Sequence, residues 1–204
     1  TQRNEYVVVW QDGRSGSRAD IYAQRLGGTA SPLGGNFAIS TAAGSKGKCS
    51  VAYGSHDNAY MVIWGDTRAG QNIFAQRLNS TGGVQGGNFA VSAAIPSEIA
   101  PVLEYDHVNQ EYLGAWWRFY DATDYDIYAG RVSPGGYPAG SPFGVVTVGE
   151  TQTQPALANN TSTGEFLIVW QDFRAGSFDI YAQRWRGAAA PTPTPTRTVP
   201  AVTP

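Results

Sequence analysis

The sequence predicts an all-β fold, a four-bladed β-propeller made of four-stranded repeats of about 53 residues. A strand-forming phrase that ends in tryptophan occurs four times, at Trp10, Trp64, Trp116 and Trp170. The spacings between these tryptophans are 54, 52 and 54 residues, a period typical of propellers and other repeat arrays. A second phrase, Asp-Ile-Tyr-Ala-Gln-Arg or a close variant, follows each tryptophan. Each repeat is therefore expected to contain a β-hairpin.

The composition suits such a fold and excludes two classes of partner. Charged residues make up only 15% of the 204 residues, whereas about 25% is usual. The net charge is −2 and no block of like charges occurs, so the chain offers no basic surface for a nucleic-acid backbone. No apolar run approaches 18 residues, so the sequence predicts no membrane span.

The first repeat shows most of the strands that the pattern predicts. Residues 5–10 are apolar on both faces of a strand, which indicates burial between two neighbouring sheets. Residues 11–19 are a Gly/Ser-rich hairpin loop, and residues 20–26 form the returning strand. A short outer strand follows at residues 36–40.

Each later repeat also has an inner strand before its tryptophan strand, predicted at residues 50–53, 101–105 and 154–158. The chain begins directly on a tryptophan strand, so the first blade is expected to lack its inner strand. After Arg184 the sequence becomes rich in proline and threonine, so the last blade is expected to lack its outer strand. The predicted propeller domain spans residues 1–187, with repeats near 1–48, 49–98, 99–152 and 153–187.

The Pro/Thr-rich tail, residues 188–204, allows three interpretations. A docking strand at residues 198–203 could supply the missing inner strand of the first blade in the same chain. The same strand could complete the first blade of a neighbouring chain, which would build filaments by strand exchange. The composition is also typical of a disordered linker to another domain.

Aspartate and arginine recur just after three of the tryptophans, as Asp12/Arg14, Asp66/Arg68 and Asp172/Arg174. The third repeat has Arg118 in place of the aspartate, so the pair is expected to be lost there. The simplest interpretation is an exposed ion pair that shapes the hairpin loop and contributes only about 0–1 kcal/mol. In the second repeat, Lys46 and Lys48 are expected in a turn, and Cys49 is expected as a small buried residue.

A second interpretation of the acidic residues is a set of calcium sites in the hairpin loops, because carboxylate and carbonyl oxygens are the ligands that Ca²⁺ takes. None of the loops has the spacing of an EF-hand. The candidate ligands are Asp12, Asp20, Asp66, Asn72, Asp121, Asp124, Asp126, Asp172 and Asp179.

No catalytic set stands out, so the chain is predicted to be non-enzymatic. The two histidines, His56 and His107, fall in equivalent turns of different repeats, and no nucleophile motif accompanies them. The aberrant third loop carries an aromatic group for which two interpretations remain, ordinary loop packing or stacking on sugar rings. Its members are Trp117, Phe119, Tyr120 and Tyr125.

The phrase Val-Val-Trp-Gln-Asp-x-Arg, followed by Asp-Ile-Tyr-Ala-Gln-Arg, resembles the repeat of bacterial secreted and cell-surface β-propeller proteins. It is also distantly similar to TolB-type repeats, and the resemblance covers about residues 5–187. The resemblance implies an extracellular or cell-surface protein with a scaffold or binding role, and it carries over no catalytic residue. The first expectation is therefore a scaffold that self-associates, with calcium in its loops. The alternative is a carbohydrate- or protein-binding module of a larger secreted protein or hydrolase.

Overall fold

The computed structural model describes residues 4–93, 97–121 and 123–187, together with the backbone of residues 196 and 197. These residues form 16 strands and no helix, and the strands make four antiparallel sheets. Valine, isoleucine and aromatic residues fill the strands, and turns with glycine at positive φ, such as Gly16 and Gly176, separate them. Because the described residues contain no helix, none of them forms a helix long and apolar enough to cross a membrane.

The sheets follow one another along the chain. The first contains β1 (Glu5–Asp12), β2 (Asp20–Gly27) and β3 (Phe37–Ser40). The second contains β4 (Lys46–Gly54), β5 (Ala59–Asp66), β6 (Asn72–Asn79) and β7 (Val84–Ser92). The third contains β8 (Glu98–Asp106), β9 (Glu111–Asp121), β10 (Asp124–Ser133), β11 (Tyr137–Pro138) and β12 (Phe143–Val146). The fourth contains β13 (Gln152–Asn160), β14 (Glu165–Asp172), β15 (Asp179–Arg186) and β16 (Thr196–Arg197).

The predicted fold class is confirmed, and the structure corrects one of its details. Within the described part of the chain, the first sheet has three strands and no inner strand, as expected. The fourth sheet was expected to lack an outer strand, which is wrong, because the backbone of β16 pairs with Tyr181 and Ala182 of β15. In the first sheet, β3 pairs with the equivalent residues of β2, Tyr22 and Ala23. A piece of the tail therefore takes the outer-strand position in the fourth sheet. The docking strand predicted at residues 198–203 lies outside the described residues.

Three apolar cores join neighbouring sheets, and all have the same construction. On each central strand the side chains alternate, so one face of every sheet carries the repeat tryptophan and the other carries aliphatic residues. We call these the tryptophan face and the aliphatic face. The first core packs the aliphatic face of the first sheet, with Ile21 and Ala23, against the tryptophan face of the second, with Tyr60 and Trp64. The other two cores join the second sheet to the third and the third to the fourth in the same way.

The tryptophans contribute the largest single share of these cores. Trp64, Trp116 and Trp170 are almost completely buried, whereas Trp10 is only partly buried. Burying one tryptophan side chain removes 150–250 Å² from water, which contributes about 4–6 kcal/mol before the entropic cost of ordering it. The packing of one sheet on the next is therefore the main source of stability.

We expect Trp116→Ala to lower the free energy of unfolding by about 3–5 kcal/mol, because it opens a cavity in a core that cannot collapse fully. Trp10→Ala removes the same atoms from a partly buried position and should cost clearly less. Urea denaturation of both variants in dilute solution measures the difference. Equal losses in the two variants would contradict the assignment of the inter-sheet cores.

Candidate functional site

The four repeat tryptophans each belong to a hydrogen-bonded cluster that recurs from sheet to sheet. Trp64 and Asp66 are two residues apart on one strand, so their side chains leave the same face. Trp64 Nε1 donates a hydrogen bond to Asp66 Oδ2 at 2.9 Å, and the backbone N–H of Arg68 donates to Asp66 Oδ1 at 2.9 Å. The Arg68 guanidinium bonds the same carboxylate at 2.5 Å and lies over the ring of Phe74, 4.2 Å from its centroid. Indole, carboxylate, guanidinium and aromatic ring thus form one unit.

The same cluster occurs in the first and fourth sheets, around Asp12 and Asp172. The carboxylates of Asp66 and Asp172 are fully buried, which corrects the expectation of exposed loop ion pairs. Burial alone would raise the pKa of Asp66, but hydrogen bonds from Arg68 and Trp64 outweigh it and hold the pKa below its ordinary value. The cluster therefore stabilises the fold at neutral pH, and this contribution is lost as the pH falls through the lowered pKa.

The Asp/Arg pair after the tryptophan is absent from the third sheet, as expected, but that sheet builds an equivalent cluster with a carboxylate from a different strand. Glu98, the first residue of β8, accepts a hydrogen bond from Trp116 Nε1 at 2.8 Å. The Arg118 guanidinium bonds the same Glu98 oxygen at 2.7 Å and lies 3.5 Å from the centroid of the Tyr128 ring. Glu98 and Arg118 are cross-strand partners at the positions that Lys46 and Asp66 occupy in the second sheet, so acid and base are exchanged between the two strands relative to that sheet.

Lys46 is the first residue of β4, and it is fully buried rather than in a turn as expected. Its ammonium donates to the carbonyls of Ala42 at 2.6 Å, Ala43 at 3.1 Å and Gly44 at 2.6 Å, and it lies 3.8 Å from Asp66. Gly44 has a φ of +80°, and a Cβ at this position would lie 2.5 Å from the backbone nitrogen of Arg68, so only glycine fits here. Burial lowers the pKa of Lys46, and the nearby Asp66 carboxylate opposes that shift.

A cavity of about 540 Å³ is lined by the inner strands of the second, third and fourth sheets together with the end of β1 and Trp117 of β9. Its polar side chains are Gln11 from the first sheet, Lys48 and Ser50 from the second, and Gln154 from the fourth. The ring of Trp117 from the third sheet completes the lining. A smaller cavity of about 320 Å³ shares Lys48, Ala100 and Trp117 with it and extends between the second and third sheets. We call the two together the axial cavity.

An aromatic row leads away from this cavity along the third sheet. The ring of Trp117 lies 5.1 Å from that of Tyr125, which in turn lies 5.1 Å from that of Phe119. The sequence had suggested that these residues lie in a loop, which is wrong, because they belong to the strands β9 and β10. Tyr120, on the opposite face of β9, is exposed, and its hydroxyl lies 2.9 Å from that of Tyr128. The structure thus joins three of the four predicted aromatic residues in one surface.

The predicted calcium ligands are brought together in pairs. Cross-strand pairing places Asp12 opposite Asp20, Asp66 opposite Asn72, Asp121 opposite Asp124, and Asp172 opposite Asp179. Among the described residues, no group of three or more histidine, cysteine, aspartate or glutamate side chains converges on one point. No finding tests calcium binding itself, so it stays a prediction.

Two of these aspartates have an unusual environment. Oδ1 of Asp124 and Oδ1 of Asp126 are buried and find no hydrogen-bond partner among the described residues. Burial raises the pKa of Asp126 to about 7, the charge of Asp124 adds to this, and Arg118 opposes it. The position of Asp126 favours a bound proton or a cation.

The remaining candidate reactive groups are the two histidines and the cysteine. His56 and His107 belong to different turns, and these turns approach each other, because His107 Nδ1 lies 3.3 Å from the hydroxyl of Ser55. Cys49 is partly buried at the edge of the axial cavity, and burial raises its thiol pKa to about 11. At neutral pH this cysteine is therefore a thiol rather than a nucleophilic thiolate.

Comparison with known proteins identifies the fold. The sequence matches no family model and no curated protein. The structure is similar to an endo-arabinase from Bacteroides thetaiotaomicron, with 12% identity, a TM-score of 0.54, and coverage of 89% of this chain and 74% of the other. The chain has a β-propeller fold. An α-L-arabinofuranosidase from Clostridium thermocellum aligns at 14% identity and TM-score 0.55, over 98% of this chain and 70% of the other. A putative TolB from Agrobacterium tumefaciens aligns at 11% identity and TM-score 0.52, over 89% of this chain and 57% of the other.

We expect Asp66→Asn to lower the free energy of unfolding by about 3–5 kcal/mol, because it leaves the guanidinium of Arg68 in a buried position without its charge partner. Asp12→Asn is the matched control, since the Arg14 side chain of that cluster is 47% exposed and water can replace the lost contact. Urea unfolding of the two variants measures the difference. A loss in Asp12→Asn as large as that in Asp66→Asn would refute the dependence on burial.

Asp126→Asn should stabilise the chain at pH 8 and have a smaller effect at pH 5. A folded pKa of about 7 lies above the ordinary value, so the native state binds more protons than the unfolded state between about pH 4 and pH 7. Wild-type stability therefore falls as the pH rises through this window, and the variant lacks that loss. Free energies of unfolding at the two pH values provide the test, and an effect independent of pH would contradict it.

The calcium prediction is tested by melting temperature. A bound ion must stabilise the folded state, so added Ca²⁺ should raise the melting temperature and a chelator should reverse the rise. Replacing Asp121 and Asp124 by asparagine should reduce the response if the third hairpin holds the ion. An unchanged melting temperature in excess Ca²⁺ would exclude a calcium site.

Proposed function

We propose that the chain is a non-enzymatic, carbohydrate-binding β-propeller module that holds a glycan in the axial cavity. The observation that carries this proposal is the row formed by Trp117, Tyr125 and Phe119, which leads into a cavity bordered by amide, ammonium and hydroxyl groups. This corresponds to the alternative expectation from the sequence rather than to the self-associating scaffold.

The lining suits a sugar ring. An indole offers a flat apolar surface on which the C–H face of a sugar can stack, together with a polar N–H at its edge. Gln11, Gln154, Ser50 and Lys48 offer donors and acceptors for sugar hydroxyls. The volume of the larger part, about 540 Å³, lies within the usual range of ligand pockets. A short oligosaccharide would therefore find both stacking and hydrogen-bonding groups.

The carboxylates of the cavity favour binding over hydrolysis. Glycoside hydrolysis commonly needs two carboxyl groups that flank the scissile bond. Among the described residues that line the axial cavity, the carboxylates are Asp66 and Glu98. Both are buried in ion pairs, with Arg68 at 2.5 Å and Arg118 at 2.7 Å, so their charges already stabilise the fold.

The names of two structural neighbours suggest the first glycans to test. An endo-arabinase and an α-L-arabinofuranosidase share this fold at 12% and 14% identity, so arabino-oligosaccharides are suitable probes. We include in the proposal an extracellular or cell-surface location and a place within a larger secreted protein, as the repeat phrase implies.

Trp117→Ala should weaken the binding of arabino-oligosaccharides at least about tenfold, the equivalent of 1.4 kcal/mol. The reason is that the variant removes the stacking platform, and isothermal titration calorimetry measures the change. Trp117→Phe should retain part of the affinity because it keeps an aromatic ring. Tyr137→Ala, which removes an exposed aromatic residue from β11 outside the cavity lining, should bind like the wild type.

Two results would refute the proposal. One is wild-type affinity in a folded Trp117→Ala variant, with folding checked by circular dichroism. The other is the failure of the wild-type chain to bind any member of a broad glycan array that includes arabinan fragments.

A further inference from the structure

The three inter-sheet cores have the same construction, and the first and fourth sheets each have one face that takes part in none of them. In each core, the aliphatic face of one sheet packs on the tryptophan face of the next sheet along the chain. Among the described residues, no core of this kind joins the fourth sheet to the first. The tryptophan face of the first sheet and the aliphatic face of the fourth are therefore the terminal faces.

The terminal tryptophan face is an apolar surface open to solvent. Tyr6 is 57% exposed and Val8 is 45% exposed, although both lie on the same face of β1 as Trp10. The equivalent residues of the third and fourth sheets, Tyr112 and Ile168, are at most 1% exposed. The exposure thus follows from the position in the array and not from a change of residue type.

The terminal aliphatic face shows the same contrast. Leu167 of β14 is 44% exposed, whereas Met61 and Leu113 at the equivalent positions of the second and third sheets are buried. The charged residue opposite Leu167 follows the same trend. Arg184 is largely exposed, while Arg131 in the third sheet is mostly covered.

We propose that the terminal aliphatic face of one copy of this chain packs on the terminal tryptophan face of a second copy. Each terminal face has the residue types that already meet its counterpart inside the chain, so the contact would continue the internal pattern. A second copy is the occupant that this pattern favours, because every copy carries both an exposed aliphatic face and an exposed tryptophan face. Apolar side chains exposed together on a sheet are typical of an interaction surface.

The proposed contact is heterologous, because it joins two different surfaces. Such contacts form closed rings or open chains according to the rotation between copies. The contact uses Tyr6, Val8 and Leu167, whereas the glycan proposal depends on Trp117 of the third sheet. The two proposals can therefore fail independently.

Val8→Glu and Leu167→Glu each place a charge on one terminal face and leave the other face intact. Both side chains are exposed, so neither substitution buries a charge within the chain. Analytical ultracentrifugation of the full chain should show the wild type at twice the mass of one copy or more as concentration rises. Each variant alone should remain at the mass of one copy.

Mixing the two variants gives the sharpest result. The Val8→Glu chain keeps its terminal aliphatic face and the Leu167→Glu chain keeps its terminal tryptophan face, so the mixture should form a one-to-one dimer that cannot extend. Val84→Glu is the matched control, because Val84 is as exposed as Val8 but lies on the outer strand β7. This control should associate like the wild type.

Three outcomes would overturn the proposal. They are a wild-type chain that stays at the mass of one copy at every concentration, a mixture of the two variants that does not dimerise, and association that survives in both variants.

Discussion

The structure depends on the repeat tryptophans, whose buried indole rings need apolar neighbours and whose N–H groups need a hydrogen-bond acceptor. The rings of the repeat tryptophan must be surrounded by apolar side chains, while the N–H at their edge must have an acceptor, since an unsatisfied buried donor costs about 1–3 kcal/mol. A carboxylate supplies that acceptor in all four sheets, and an arginine above an aromatic ring neutralises the carboxylate. The apolar core and its polar boundary are therefore set together, at one position in each repeat.

The third sheet shows that the indole N–H requires a carboxylate acceptor but does not require it at one fixed position in the sequence. Glu98 on the inner strand replaces the aspartate that follows the tryptophan, and Arg118 occupies the position of that aspartate. The cluster survives because the two residues are cross-strand neighbours. The exchange has consequences nearby, where the buried Asp126 has a raised pKa and the Trp117 ring lines the axial cavity. The sheet that departs most from the repeat is thus also the one that contributes the aromatic row.

Two surfaces of the molecule have separate origins. The axial cavity forms where the inner strands of the second, third and fourth sheets approach β1, and its polar lining includes Lys48, Ser50 and Gln154 from the first halves of inner strands and Gln11 near the end of β1. The terminal faces exist because a row of sheets has a first and a last member, each with one side that no further described sheet covers. A glycan at the axis and a second copy at the terminal faces would not compete for the same residues.

The sequence by itself determined the fold class, the tryptophan strands and the hairpin that each of them forms with the strand after it. These follow from local alternation and from the repeat period, which need no knowledge of distant contacts. The tertiary structure decided the rest: the burial of Lys46, the partnership of Glu98 with Trp116, and the meeting of Gln11, Trp117 and Gln154 around one cavity. The physical reason is that such contacts join residues on different strands or different sheets, and their distances depend on how the sheets pack and not on spacing along the chain.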